Sequence, residues 1–125
     1  MAAPNIVNVT SIIGKTAYDS LVSTGQSATL TNSASSNKVF KINTIIAANV
    51  DGTNAADITV YVTTASSNVA LFYLAYTISV PADSSLVITS KDTSFYLEED
   101  RTIRAFASNS SDISLMVSYE EIDDA

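Results

Sequence analysis

Residues 11–20, SIIGKTAYDS, contain Gly14-Lys15-Thr16, the residue types that close a phosphate-binding P-loop. A P-loop also needs an earlier glycine, because that glycine opens the turn whose backbone N–H groups surround the phosphates. Val9 occupies that position here. No helical period follows Lys15, although a helix N-terminus must face the phosphates. We therefore expect Gly14-Lys15-Thr16 to form a turn between two short strands and to bind no nucleotide.

Two acidic runs are the next candidates for chemistry, Glu98-Glu99-Asp100 and EEIDD at residues 120–124. Paired carboxylates hydrolyse glycosides when they are held about 5 to 9 Å apart across a sugar and one of them stays protonated. The first run has the composition of a turn, and the second lies among the last residues of the sequence. Because solvent would keep both runs ionised, we expect no catalytic residue in either.

The segment DGTNAAD at residues 51–57 has part of the spacing of a calcium-binding loop. The match fails at Ala55, which has no ligating side chain, and at Ala56, where the loop needs glycine. It fails again at Val62, where a bidentate glutamate is needed. The chain also has no cysteine and no histidine, which excludes thiolate and imidazole sites. We expect no metal and no other cofactor, and we interpret Asp51-Gly52 as a hairpin turn.

Charge and hydropathy narrow the class of partner. The chain has 13 acidic and 6 basic residues in 125, a net charge of −7, and the basic residues are scattered. Such a surface repels phosphates, so nucleic acid is not an expected partner. The longest apolar run, VALFYLAY at residues 69–76, is too short to cross a bilayer as a helix, so we expect no membrane partner. The first residues lack the pattern of a secretory signal, and we expect the protein to be made in a cytoplasm.

Alternation of apolar and polar residues is the main structural signal, and it is typical of strands with one buried face. Turn residues separate these strands at intervals of about ten residues. The predicted fold is all-β, an antiparallel β-sandwich of jelly-roll or immunoglobulin-like type with about eight strands. The clearest predicted strands are residues 28–32, 38–50, 57–63, 68–80, 101–107 and 112–119.

The length of the chain fits one β-sandwich domain over residues 1–125. No linker, long repeat or low-complexity tract divides it. Residues 1–23 carry the weakest signal, and we expect them to add an edge strand or to form an arm that packs on a neighbour.

Several apolar side chains would lie on the outside of an isolated sandwich. Tyr61, Phe106 and Met116 alternate with predicted core residues, so they should face outward. The run from Leu71 to Tyr76 is apolar on both faces, and one face needs a cover from this chain or from another subunit. A contiguous exposed apolar patch usually marks an interface. The predicted interface residues are Tyr61, Leu71, Tyr73, Tyr76, Tyr96, Phe106 and Met116.

Two long segments resemble small all-β virion structural proteins of tailed bacteriophages, especially phages of marine bacteria and cyanobacteria. The segment KVFKINTIIAANVDGTNAADITVYV resembles a long strand ending in I-x-x-A-N, a polar turn and an alternating strand. The segment ISVPADSSLVITSKDTSFYLEEDRTIRAFAS resembles the continuation, in which L-x-x-D precedes I-R-A-x-A. Many related proteins have Gly-Asp at that last turn, where this chain has Glu99-Asp100. The resemblance covers about residues 38–122.

The resemblance implies a virion β-sandwich and carries over no catalytic residue. The expected function is a non-enzymatic capsid decoration or cement protein that stabilises the phage head by burying apolar strand faces between subunits. The expected partners are the major capsid protein or other virion proteins, with a homotrimer as the expected oligomer. The alternatives are a neck, tail or baseplate accessory protein of the same fold, and a carbohydrate- or receptor-binding module that uses exposed tyrosines.

Overall fold

The computed structural model describes residues 9–20 and 22–123. Within these ranges the chain forms nine strands and a single turn of 3₁₀ helix at Lys91–Thr93. The strands are β1 (Ser11–Asp19), β2 (Ser27–Asn32), β3 (Lys38–Asn49), β4 (Ala56–Thr64), β5 (Phe72–Val80), β6 (Ser85–Thr89), β7 (Phe95–Leu97), β8 (Arg101–Ala107) and β9 (Ile113–Asp123). No helix among these residues is long and apolar enough to cross a membrane.

The strands form two antiparallel sheets. Sheet A has the order β1-β9-β3-β6, and β7 pairs with β3 beside β6, while sheet B has the order β2-β8-β4-β5. The pairs nest inside one another along the chain: β1 with β9, β2 with β8, β3 with β6 and β7, and β4 with β5. This nesting wraps one long antiparallel ribbon into a jelly roll. The predicted antiparallel β-sandwich is confirmed, and of the two predicted topologies the strand order is that of the jelly roll.

The core lies between the sheets and follows the alternation seen in the sequence. Along β9, the buried residues Ile113, Leu115 and Val117 alternate with partly exposed ones. Ile103 and Ala105 of β8 meet them from the other sheet as members of the same apolar cluster. Because successive side chains of a strand point to opposite faces, this pattern fixes which face of each strand is inner.

Two buried asparagines tie the sheets together at opposite ends of β3. The Asn32 amide, at the end of β2, donates to the carbonyl oxygens of Lys38 (2.9 Å) and Leu97 (3.0 Å). The Asn49 amide, at the end of β3, donates to the carbonyl oxygens of Asn54 (3.0 Å) and Val80 (2.9 Å). These bonds satisfy backbone carbonyls at the points where the chain crosses between the sheets.

The predicted hairpin at Asp51-Gly52 is wrong. The connection joins β3 of sheet A to β4 of sheet B, so the flanking strands do not pair with each other. Gly52 has no positive φ, which a type I′ hairpin turn would require. The Asp51 carboxylate accepts a hydrogen bond from the Thr53 N–H at 2.9 Å, a contact within the loop. The Asn49 amide, which donates to the Asn54 carbonyl oxygen, connects the loop to the end of β3.

The predicted turn at Gly14-Lys15-Thr16 is also wrong. These residues lie in the middle of β1, an edge strand of sheet A whose register with β9 is continuous from Ser11 to Asp19. Strand β1 falls within residues 1–23, for which an edge strand was one of the two predicted states. Residues 1–8 and Leu21, which belong to the same segment, lie outside the described residues.

Candidate interaction surface

Strand β5 is the edge of sheet B and exposes a strip of apolar side chains. Phe72 is 66% exposed and Tyr76 is 60% exposed, although residues of these types are usually buried at least in part. We name the strip the aromatic edge. It comprises Leu71, Phe72, Tyr73, Tyr76 and Ile78, all of them exposed. Large apolar side chains exposed on both faces of an edge strand are the strongest candidate interface among the described residues.

Ring contacts connect the aromatic edge to the outer face of sheet B. The ring centroids of Tyr73 and Tyr76 lie 4.8 Å apart with an edge-to-face arrangement. Tyr73 also contacts Tyr61 on β4 at 5.6 Å, and Tyr61 contacts Phe106 on β8 at 6.1 Å. These spacings are typical of favourable aromatic pairs, so the rings hold each other in a fixed arrangement.

The prediction that Tyr61 is exposed is wrong. Its side chain is on the outer face of sheet B, as predicted, but it is only 1% exposed because Tyr73 and Phe106 pack against it. Its hydroxyl has no hydrogen-bond partner among the described residues. Burial raises the pKa of the Tyr61 hydroxyl, the Arg104 guanidinium opposes this rise, and Tyr73 adds to it. Tyr61 is therefore a buried packing partner of the exposed Tyr73 and not part of the exposed surface itself.

The backbone of β5 is irregular, which limits how it can be contacted. Its register with β4 shifts between Ile58 and Val60 and again between Val60 and Tyr61. Thr77, in the first shift, has φ 47°, and its N–H donates to the Thr59 hydroxyl at 3.0 Å. Bulges of this kind prevent an edge strand from pairing with another strand. The aromatic edge is thus suited to contact through side chains rather than through an added strand.

A groove of about 350 Å³ opens beside the aromatic edge, where β5 of sheet B and β7 of sheet A separate. Leu74 and Phe95 on its walls pack against the core, and Leu71 and Phe72 stand at its mouth. Glu98 and Arg101 provide the charged groups of its lining. An apolar depression with a few polar groups is suited to receive an apolar side chain of a binding partner.

The structure separates the predicted interface residues into two groups. Leu71, Tyr73 and Tyr76 belong to the aromatic edge, with Phe106 half-buried beside them and Tyr61 beneath. Tyr96, opposite Lys41 in sheet A, lines the groove beside the aromatic edge, whereas Met116 lies on the outer face of sheet A opposite Tyr18 and Ile46. The seven residues therefore do not form one patch, and their role as interface residues stays a prediction.

Sequence reasoning did not name Phe72 and Ile78 individually, although the apolar run that contains Phe72 was singled out. The bulges in β5 decide which of its residues are exposed, and an alternation pattern from the sequence cannot locate bulges. Treating every large apolar residue of a doubly apolar edge strand as a candidate would have found Phe72.

Three acidic residues of the described chain form contacts that stabilise the fold. The Glu99 carboxylate accepts from the Asn37 N–H at 2.8 Å, and the Asp100 carboxylate from the Ala65 N–H at 3.3 Å. Glu121 is buried and forms ion pairs with Lys15 at 3.1 Å and Lys38 at 3.3 Å. Across residues 9–20 and 22–123, no group of acidic side chains is arranged to hold a metal ion.

The Glu99-Asp100 turn has a simple conformational explanation. Asp100 has φ 62°, a left-handed conformation that glycine adopts freely and that aspartate tolerates better than most residues. Its N–H also donates to the Asn32 carbonyl oxygen at 2.8 Å, which joins the turn to the end of β2. The turn therefore requires one residue that tolerates a positive φ, and Asp100 occupies that position.

Comparison with known proteins adds no family. No protein-family model matches the chain, and no curated protein is similar to it in sequence.

Proposed function

We propose that this chain is a non-enzymatic structural protein of a phage virion, and specifically a decoration or cement protein of the head. The observation that carries the proposal is the aromatic edge, a rigid strip of exposed rings on the bulged edge of a small jelly roll. Jelly rolls are frequent in viral capsid proteins, although a fold alone does not determine a function. The resemblance of residues 38–122 to virion proteins supports the same class.

In this proposal the aromatic edge binds the major capsid protein or another virion protein where neighbouring subunits meet. Tyrosine and phenylalanine are effective anchors because they bury a large area and lose little conformational entropy. Tyr61 and Tyr76 already pack against the Tyr73 ring, so this side chain should lose little further conformational entropy on binding. Repeated many times over a shell, even a modest contact of this kind adds substantial stability. A homotrimer is the proposed oligomer on the head.

The same surface would serve a neck, tail or baseplate accessory protein, and the symmetry of the bound copies distinguishes these positions from the head. Carbohydrate binding is the second candidate function, because exposed Tyr73 and Tyr76 stand near a groove that also presents Glu98 and Arg101. Binding of a defined glycan on an array, abolished by Tyr76→Ala, would favour this second function.

The test uses particles that lack this protein and purified protein added back to them. Phe72→Ser together with Tyr76→Ser should reduce co-sedimentation with the particles at least about tenfold, because two exposed anchors are lost. Val50→Ser removes a comparably exposed apolar residue away from the aromatic edge and is the matched control. The control should bind like the unmodified protein. Equal binding of the double variant and the control would refute the proposed role of the aromatic edge.

A further inference from the structure

A second apolar feature crosses the outer face of sheet A, on the opposite side of the sandwich from sheet B. The register aligns Tyr18 of β1 with Met116 of β9, Met116 with Ile46 of β3, and Ile46 with Val87 of β6. These residues form one straight row from edge to edge of the sheet, which we name the cross-strand row. Tyr18 is 74% exposed and Val87 is 57% exposed, so the row is not part of the core.

The residues on both sides of the cross-strand row are small and uncharged. Directly opposed residues in an antiparallel sheet share a face, so the register defines these neighbours as well. One flanking row is Thr16, Ser118 and Thr44, and the other is Ser114, Ala48 and Ser85. In a chain with a net charge of −7, these three rows contain no charged side chain.

A depression of about 440 Å³ lies within this region, immediately beside Tyr18. Its lining includes Ile46, Ala48, Ser114 and Met116, with Tyr18 along one side and Asp19 at the rim. An exposed tyrosine ring and a depression large enough to hold such a ring therefore lie next to each other on the same face. A two-fold interface between identical subunits must be self-complementary, and this face carries both a projecting ring and a depression, the two parts that such an interface would match.

We propose that two copies of this chain pair through the outer face of sheet A. The two-fold axis passes near Met116, and Tyr18 of each copy inserts into the depression of the other. The inference rests on the register and shape of sheet A and is independent of the function proposed for the aromatic edge.

Shape favours a second copy as the occupant, because the exposed Tyr18 ring and a depression that could receive it lie on the same face. The net charge of −7 opposes pairing, but the three rows carry no charged side chain, which keeps the repulsion small at this face. A basic partner would gain more from the acidic parts of the surface. The face is small beside the roughly 800 Å² per partner of a standard stable interface, so we expect a weak, concentration-dependent dimer.

Sedimentation velocity of the full chain, from about 5 μM to about 1 mM, measures this pairing. The unmodified protein should shift from monomer to dimer, and Tyr18→Ser should weaken the association at least about tenfold. Tyr76→Ser, an equally simple loss of an exposed tyrosine from the aromatic edge, should dimerise like the unmodified protein. A monomer over the whole range would overturn the inference, and so would a dimer weakened by Tyr76→Ser but not by Tyr18→Ser.

A cross-linking experiment tests the position of the axis. The chain contains no cysteine, so Met116→Cys introduces a single thiol per copy. Under mild oxidation this variant should form a disulfide-linked dimer faster than Ser66→Cys, which places the thiol in the exposed loop between β4 and β5. Equal rates for the two variants would contradict the proposed geometry even if a dimer forms. Circular dichroism of each variant establishes that the β-sandwich is intact.

Discussion

At the scale of single residues, Tyr61 shows how cross-strand neighbours override a pattern within one strand. The alternation of β4 places Tyr61 on the outer face, and that part of the prediction is correct. Its burial depends on Tyr73 and Phe106, which lie on the two strands that flank β4 in sheet B, β5 and β8. The sequence of β4 alone contains no information about those neighbours. The cost of the arrangement is a buried hydroxyl without a hydrogen-bond partner.

Replacing Tyr61 with phenylalanine should keep the ring packing and remove that cost. At neutral pH we expect the free energy of unfolding to stay equal or to rise by about 1 kcal/mol, because the unsatisfied hydroxyl is gone. Urea denaturation at pH 7 measures this difference, and Tyr61→Leu, which loses the ring contacts, is the destabilised comparison. A loss of more than about 1 kcal/mol in Tyr61→Phe would show that the hydroxyl has a stabilising partner.

The same variant tests the raised pKa. Burial raises the pKa of folded Tyr61 above its ordinary value, so the folded state keeps this proton at a pH where the unfolded state releases it. Its contribution to stability is complete below about pH 10 and falls as the pH rises further. The unmodified protein should therefore lose stability more steeply than Tyr61→Phe between about pH 10 and the raised folded value. Parallel stability curves over this range would show that burial leaves the pKa unchanged.

At the scale of elements, the sequence predicts the strands well and their pairing poorly. Strands β3, β4 and β8 begin and end close to the predicted limits, because an inner face of apolar residues produces a clear alternation, whereas β9 begins as predicted but continues to Asp123. Pairing fails at Asp51-Gly52 because a jelly roll pairs strands that are distant in sequence, so a local turn motif between neighbouring strands carries little information. Strand β1 was predicted only as one of two alternatives for residues 1–23, and its middle was taken for a turn, because an exposed edge strand has little alternation to detect.

Gly52 provides a test of the connection between β3 and β4. Gly52→Ala should change the free energy of unfolding by less than about 0.5 kcal/mol, or stabilise slightly, because Gly52 has no positive φ and an added Cβ meets only Asp83 carboxylate oxygens at 3.7 and 3.8 Å. In a type I′ hairpin turn the same change would be destabilising by more than about 1 kcal/mol. Thermal unfolding of the variant distinguishes the two, and a large loss would restore the hairpin interpretation.

At the scale of the whole molecule, the jelly roll places two different apolar features on two sides of one small acidic domain. The aromatic edge follows the bulged edge of sheet B, and the cross-strand row crosses the outer face of sheet A. A sequence-based list of exposed apolar residues mixes the two, as Tyr76 and Met116 show, because only the sheet register separates the sides. The proposed binding of a shell by the aromatic edge and the proposed pairing of copies through sheet A are compatible, since the two surfaces lie on different sides of the domain.

The most direct test of the central claim is a cryo-electron microscopy reconstruction of purified particles of a phage whose genome encodes this protein. We expect jelly-roll density at repeated positions on the head, with the aromatic edge buried against a capsid protein or a neighbouring subunit. If copies are found only at the neck, tail or baseplate, the protein is an accessory protein of that part of the particle, and the aromatic edge makes its contact there. Particles that lack the protein, or copies whose Phe72 and Tyr76 face solvent, would contradict the account.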